Sequence, residues 1–228
     1  MSRTPIVLAL LFTCLLGAAP ALNAEDIVTE PILTFGHTYP VRSVAFSPDG
    51  TKVLTGGYDS TARLWNAATG AHIRTFTGHT DVLFSVAYSP DGTTVLTGSR
   101  DNTARLWVAA TGAHIRTFTG HTAEVRSVAY SPDGTKVLTG SWDGTARLWD
   151  AATGAHIRTF AGVRSVAFSP NGTKVLTAAN DTTPRLWDAA TGAHILTFTG
   201  HTDTVFSVAF SPDGTTVLSG TDAPDCTV

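Results

Sequence analysis

The triplet Arg-Leu-Trp ends at Trp65, Trp107, Trp149 and Trp187, in steps of 42, 42 and 38 residues. A second marker keeps the same beat. Ser-Pro-Asp-Gly begins at Ser47, Ser89, Ser131 and Ser211, and Ser-Pro-Asn-Gly at Ser169, in steps of 42, 42, 38 and 42. A period near 42 places the chain among repeat architectures, in which each unit buries its apolar faces against its neighbours. The short step is a deletion: Thr119-Gly120-His121-Thr122-Ala123-Glu124-Val125 of one unit shrinks to Ala161-Gly162-Val163 in the next.

Each period reads as four short strands. In the third unit these are Val125–Ser131, Lys136–Gly140, Ala146–Trp149 and His156–Phe160. Ser131-Pro132-Asp133-Gly134, Asp143-Gly144 and Ala151-Ala152-Thr153-Gly154 supply the turns, with Pro where φ near −65° is wanted and Gly where positive φ is wanted. Four such strands make a small antiparallel sheet, and sheets stacked around an axis make a propeller. The expected fold is therefore an all-β propeller of four-stranded antiparallel blades. It has about five units, four complete and one incomplete, in a closed ring or an open arc. Composition agrees. With 14% charged residues, 21 Gly and 11 Pro, a coiled coil or helical bundle is excluded, and 43% hydrophobic residues exclude a disordered chain. The net charge, 15 − 18 = −3, is small and mixed, which argues against nucleic acid as a partner and against a polybasic membrane anchor.

The first residues read as an export signal. Arg3 precedes an apolar run, Ile6 to Leu16, and small residues follow. Ala19-Pro20-Ala21 and Ala24 are candidate cleavage sites, and Glu25-Asp26 favour cleavage after Ala24. An uncleaved anchor is the alternative, but an apolar stretch that reaches Leu22 only across Pro20 is marginal against the roughly 20 residues a bilayer needs. Leu11-Phe12-Thr13-Cys14 is a poor lipoprotein match. The expected organisation is a signal at 1–24, a linker at 25–31 and a repeat domain at 32–228, with units near 37–78, 79–120, 121–161, 162–200 and a partial 201–228. The mature product would be secreted or periplasmic, free of the membrane, with a charge of 14 − 18 = −4 and Cys226 as its one thiol.

Further residues keep register with each Trp. His37, His79 and His121 follow Gly and stand 28 before it; Thr55, Thr97, Thr139 and Thr177 stand 10 before; Asp59, Asp101, Asp143 and Asp181 stand 6 before. Trp-Asp itself occurs at Trp149-Asp150 and Trp187-Asp188. On these residues the repeat resembles the WD40 family of β-propellers, over residues 32–228. The resemblance implies a buried hydrogen-bond network running from Trp to Thr to His to Asp in each blade. Buried polar groups are costly unless paired, so a satisfied network also fixes one arrangement of loops and strands. Thr, His and Asp together look like a nucleophilic triad, but a set that recurs in several blades behaves as scaffold. A second His set, His72, His114, His156 and His194, opens the fourth strands and is spread over different blades, which argues against a shared metal. Arg63, Arg105, Arg147 and Arg185 are expected to pack and pair between blades. No cofactor is called for. Asn171-Gly172-Thr173 and Asn180-Asp181-Thr182 fit the glycosylation sequon.

The units differ at few places. Ser85–Ser99 and Ser127–Ser141 differ only at Thr94 and Lys136, so variation is concentrated information. It falls 23 before each Trp, at Arg42, Phe84, Arg126 and Arg164, with Phe206 in the last unit. It falls again 7 before, at Tyr58, Arg100, Trp142 and Asn180, and at Pro40, Val82, Glu124 and Thr204. The resemblance places these residues around the channel mouth, where such propellers meet partners, and Arg, Phe, Tyr and Trp are hot-spot types. The expected function is an exported, non-enzymatic scaffold with a face for a protein or peptide, Trp142 being its first anchor. A carbohydrate or small-ligand binder stacking on Trp142 and Tyr58 is the alternative. A propeller enzyme with its site at the central channel comes third.

Three features depart from the family. Its rings usually have seven blades. The fourth unit lacks the Gly-His loop and carries Pro184 at a strand start. The fifth unit runs from His201 and Ser219 to Asp225-Cys226-Thr227-Val228 without reaching Arg-Leu-Trp, which suggests a truncated frame or a fragment. Ile32-Leu33-Thr34-Phe35 matches Ile195-Leu196-Thr197-Phe198 and reads as an outer strand for the last blade. That blade would still lack its third strand, so self-association through it is expected.

Overall fold

Each Ser-Pro-Asp-Gly segment closes a hairpin by the same few bonds. In the first, Gly50 N–H donates to the Ser47 carbonyl at 2.8 Å, and the Ser47 hydroxyl donates to Asp49 at 2.5 Å. The same hydroxyl oxygen accepts the Lys52 N–H at 2.9 Å. Gly50 holds φ at 69°, a conformation Gly adopts without steric cost. The bonds from Ser47 and from Thr51 N–H lower the Asp49 carboxyl to about 2.

The computed structural model describes residues 36–162, 164–179 and 181–221, and their regular elements are all β-strands. Blade 1 is β1 (Val41–Phe46), β2 (Lys52–Gly57), β3 (Ala62–Asn66) and β4 (His72–Phe76). Blade 2 is β5 (Leu83–Tyr88), β6 (Thr94–Ser99), β7 (Ala104–Val108) and β8 (His114–Phe118). Blade 3 is β9 (Val125–Tyr130), β10 (Lys136–Ser141), β11 (Thr145–Asp150) and β12 (His156–Ala161). Blade 4 is β13 (Ser165–Phe168), β14 (Lys174–Ala178), β15 (Arg185–Asp188) and β16 (His194–Thr197). Blade 5 has two strands among the described residues, β17 (Val205–Phe210) and β18 (Val217–Thr221). Within each sheet the strands pair antiparallel in chain order. The result is an open arc of about five propeller blades, and the expected strands of the third unit differ from the observed ones by a residue at several ends. The expected signal, both cysteines, the segment Ile32–Phe35 expected as an outer strand, Asn180 and 222–228 lie outside the described residues.

The blades are joined by one seam, repeated. Leu54, Ala62, Leu64 and Phe76 of blade 1 pack on Leu83, Val86, Val95 and Trp107 of blade 2. Corresponding residues form the cores at the next three seams. Burial of each large apolar side chain contributes about 1.5–3 kcal/mol. The inner strands also hydrogen-bond across the seam: Val86, Val128, Val166 and Val208 N–H donate to Ser43, Ser85, Ser127 and Ser165 Oγ at 3.1–3.2 Å. Glycine suits the close approach of the first four blades, since a Cβ on Gly98 would lie 2.8 Å from Val128 Cγ1, while Ala178 fills the same place at the fourth seam.

The strand arginines meet the expectation in part: Arg105 and Arg147 pack on the glycine that ends the preceding unit, where a Cβ on Gly78 would lie 2.7 Å from Arg105 Nη1 and one on Gly120 2.5 Å from Arg147 Nη1. Arg63 donates to Asp59 at 3.1 Å and to the Gly36 carbonyl at 2.6 Å, and Arg185 pairs with Asp181. The Asp partners lie in the same repeat, because the third strand starts just after its Asp turn, whereas Gly36 precedes the first unit. On the outer strands Arg74, Arg116 and Arg158 cross a seam. Each guanidinium donates to two turn carbonyls of the next blade at 2.5–2.6 Å: Ala110 and Thr111, Ala152 and Thr153, Ala190 and Thr191. Leu196 stands at this place in blade 4. Arg116→Ala is expected to lower stability by about 1–3 kcal/mol in a denaturant titration. Arg116→Lys should not restore it, because an ammonium cannot match the two-pronged geometry.

Candidate functional site

A single hydroxyl organises the interior of each of the first three blades. In blade 2, Thr97 Oγ1 accepts Trp107 Nε1–H at 3.0 Å and contacts His79 Nε2 at 2.7 Å, and His79 Nδ1 meets Asp101 at 2.7 Å. Blade 1 repeats this with Trp65, Thr55, His37 and Asp59 at 2.7–3.0 Å. Blade 3 repeats it with Trp149, Thr139, His121 and Asp143 at 2.8–2.9 Å. Each Thr is fully buried, which leaves its hydroxyl no path to a substrate. With a neutral imidazole carrying its proton on Nδ1, every donor finds an acceptor. Burial lowers the His37, His79 and His121 pKa values below 6.5, with the neighbouring Asp pulling the other way. Burial pushes the three carboxyls up, but bonds from His and Thr outweigh it and hold them below their ordinary value.

Blade 4 solves the missing histidine differently. Thr177 still accepts Trp187 Nε1–H at 2.9 Å, and its hydroxyl donates to the Ala161 carbonyl at 2.8 Å. Gly162 allows this approach, since a Cβ there would lie 2.5 Å from Thr177 Cβ. Asp181, without a histidine, pairs with Arg185. In blade 5, His201 bonds Ser219 at 2.7 Å. The second histidine set packs edge-on against the same tryptophans: His72, His114, His156 and His194 lie 5.1–5.3 Å from Trp65, Trp107, Trp149 and Trp187.

The variable positions lie at the other functional layer, and strand irregularities put them there. The pairing of β1, β5, β9 and β17 skips one residue at Arg42, Phe84, Arg126 and Phe206. A bulge re-aims its side chain out of the ladder of paired strands. Backbone bonds then tie the other variable positions together, with Tyr58, Arg100 and Trp142 N–H donating to Pro40, Val82 and Glu124 carbonyls at 2.9–3.0 Å.

Five of these side chains form one stack across blades 2 to 5. Arg126 lies 4.2 Å from the Phe84 ring and 4.5 Å from Trp142; Arg164 lies 4.4 Å from Trp142 and 4.0 Å from Phe206. Aromatic and guanidinium groups alternate, each contact worth about 0.5–1 kcal/mol where solvent reaches it. Glu124 accepts Arg126 Nε–H at 2.7 Å and lies 3.6 Å from Arg100, which also faces Asp81 at 3.5 Å. Pro40, Arg42 and Tyr58 are exposed on blade 1, and Thr204 is half-buried before β17. Val82 differs from the expected contact residue: it is buried, at 8% exposure, and packs inward. Asn180 lies outside the described residues. The stack itself was not read from the sequence. The available signal was the order Phe84, Arg126, Arg164, Phe206, which pairs unlike partners in neighbouring units at both ends of the series.

The histidines carry a pH dependence. In the unfolded chain they titrate near 6.5, and in the fold they resist protonation. Below about pH 6.5 the unfolded state therefore binds more protons, and stability falls as pH falls. The depressed carboxyls remain ionised in this window. Thermal melts should show Tm dropping between about pH 7 and pH 5, and His79→Gln should flatten that slope. A Tm independent of pH across the window would contradict neutral hub histidines.

Comparison with known proteins agrees with this geometry. The family profile described as WD domain, G-beta repeat, matches residues 29–66, 70–108, 112–150, 154–188 and 192–228. Protein Mut11 of Chlamydomonas reinhardtii is 52% identical over 40 residues, 18% of this chain and 11% of that protein. The Periodic tryptophan protein 2 homolog of Dictyostelium discoideum is 45% identical over 42 residues, 18% of this chain and 5% of that protein. Ribosome assembly protein 4 of Chaetomium thermophilum is 46% identical over 39 residues, 17% and 8% of the two chains. Each match is about one repeat long and spans a small part of the relative. Five matched repeats, three of them folded into blades around complete Trp, Thr, His and Asp hubs, make this chain a member of the WD40 repeat family.

Proposed function

We propose that the chain is a non-catalytic scaffold whose aromatic and arginine stack is a docking face for a protein or peptide. The observation that carries this reading is the stack of Phe84, Arg126, Trp142, Arg164 and Phe206, built at the positions where otherwise near-identical repeats differ. Rigid aromatic rings held by charged neighbours lose little entropy on binding, which is what a hot spot needs. Family membership supports a scaffold, as does the name of the ribosome assembly relative. The carbohydrate alternative is weakened at Trp142, whose ring already stacks on two guanidinium groups. Arg3 and the apolar run Ile6 to Leu16 support export, to be tested by fractionation of the expressing cells.

Selection of peptides from a displayed library tests the docking face. Wild-type chain is expected to enrich a peptide class whose affinity falls at least about tenfold, or about 1.4 kcal/mol, in Trp142→Ala and Phe206→Ala. Ile115→Ala, on the outer strand of blade 2, should leave it unchanged. Enriched peptides that bind Trp142→Ala as well as wild type would remove the stack from the function, and a glycan-array signal lost in that variant would favour the carbohydrate reading.

A further inference from the structure

The two ends of the arc carry the two halves of the seam. At each internal seam, a valine of the inner strand enters the preceding blade: Val86, Val128, Val166 and Val208 are 6–7% exposed. Val44, their counterpart on blade 1, is 53% exposed. The leucine that faces the following blade is fully buried in Leu54, Leu96, Leu138 and Leu176, whereas Leu218 of blade 5 is 57% exposed. So blade 1 presents an uncovered leading face and blade 5 an uncovered trailing face.

The shapes complement each other as well. The valine of one blade fills a slot over a glycine of the blade before it, as Val86 does at Gly56, Val128 at Gly98 and Val166 at Gly140. Gly220, at this place in β18, has nothing within 4 Å of a would-be Cβ. The bottom turns interlock in the opposite sense. Pro48, Pro90, Pro132 and Pro170 pack at 3.2–3.5 Å on the would-be Cβ of Gly92, Gly134, Gly172 and Gly214. Gly50 of blade 1 has nothing there, and Pro212 is the corresponding proline of blade 5. Each end therefore offers a knob and a hole that fit the other: Val44 for Gly220, and Pro212 for Gly50.

We propose that these faces join two copies of the chain head to tail, blade 5 of one on blade 1 of the other. The occupant is a second copy because the exposed residues are the ones that make this chain's own internal seams, so the new contact continues an interface already formed four times. The contact is heterologous, joining unlike patches. Two copies that meet at both ends close into a ring, and every apolar end face is covered. This differs from pairing through an incomplete strand edge, since sheet faces meet and no main-chain ladder is extended. The knob and hole residues of the end faces are also not members of the aromatic and arginine stack.

A heterologous seam makes a prediction that a symmetric one does not. Val44→Asp disables the leading face and leaves the trailing face intact; Leu218→Asp does the reverse. Sedimentation velocity on the full chain should give a mass of two chains for wild type and of one chain for either variant, with the far-UV circular dichroism retained. An equimolar mixture of the two variants should regain the two-chain mass through the one good seam left. Phe46→Lys, on the leading face, and Gly220→Val, which fills the slot, serve as second variants for each side. A wild-type monomer at every concentration, variants that keep the wild-type mass, or a mixture that stays monomeric would each overturn the proposal.

Discussion

A four-stranded blade has two apolar faces and can cover neither by itself. Leu54, Leu96, Leu138 and Leu176 are fully buried because each packs with the inner-strand valine of the next blade, and the first three also with its Trp. The rest of the structure answers to that contact. Gly56, Gly98 and Gly140 sit on the middle strands where a Cβ would strike the neighbour's valine. Serine hydroxyls tie one inner strand to the next, and outer-strand arginines fasten the rim. Where the contact has no neighbour, at Val44 and Leu218, the same side chains face solvent.

The threonine hubs work at right angles to this. They hold each blade's turns to its own third strand, so that the inner loops keep one shape. The arrangement tolerates repair. When the loop bearing the histidine is deleted ahead of blade 4, Thr177 keeps its tryptophan and takes a backbone carbonyl instead. A buried hydroxyl needs a partner, and its chemistry is indifferent to whether that partner is an imidazole or a carbonyl. The loops held this way support the bulges at Phe84, Arg126 and Phe206, and the bulges deliver the side chains of the proposed docking face.

Much of this was readable from the residues. The blades, their turns and the Trp, Thr, His and Asp spacing are local to one repeat, and repetition multiplies a weak signal into a strong one. The variable positions were found by comparing copies. Their arrangement was harder. Trp142 was expected as the first anchor of a binding face, and two arginines from its own chain also stack on it. Arg74, Arg116 and Arg158 were not singled out, yet they span blades, because the outer strand lies nearest the next blade's rim turn. Val82 shares a register with exposed Pro40 and half-buried Glu124 and Thr204, yet is itself buried.

The sequence by itself determined the period, the strands within it and the polar hub, because period-two alternation and turn chemistry act between residues close along the chain. Tertiary structure decided which side chains meet across a seam. Phe84 and Arg126 belong to different repeats, as do Arg116 and Thr153, and no local preference brings them together. Their meeting depends on the distance and twist between stacked sheets. That geometry is set by how the apolar faces pack, and it exists only once the blades are assembled.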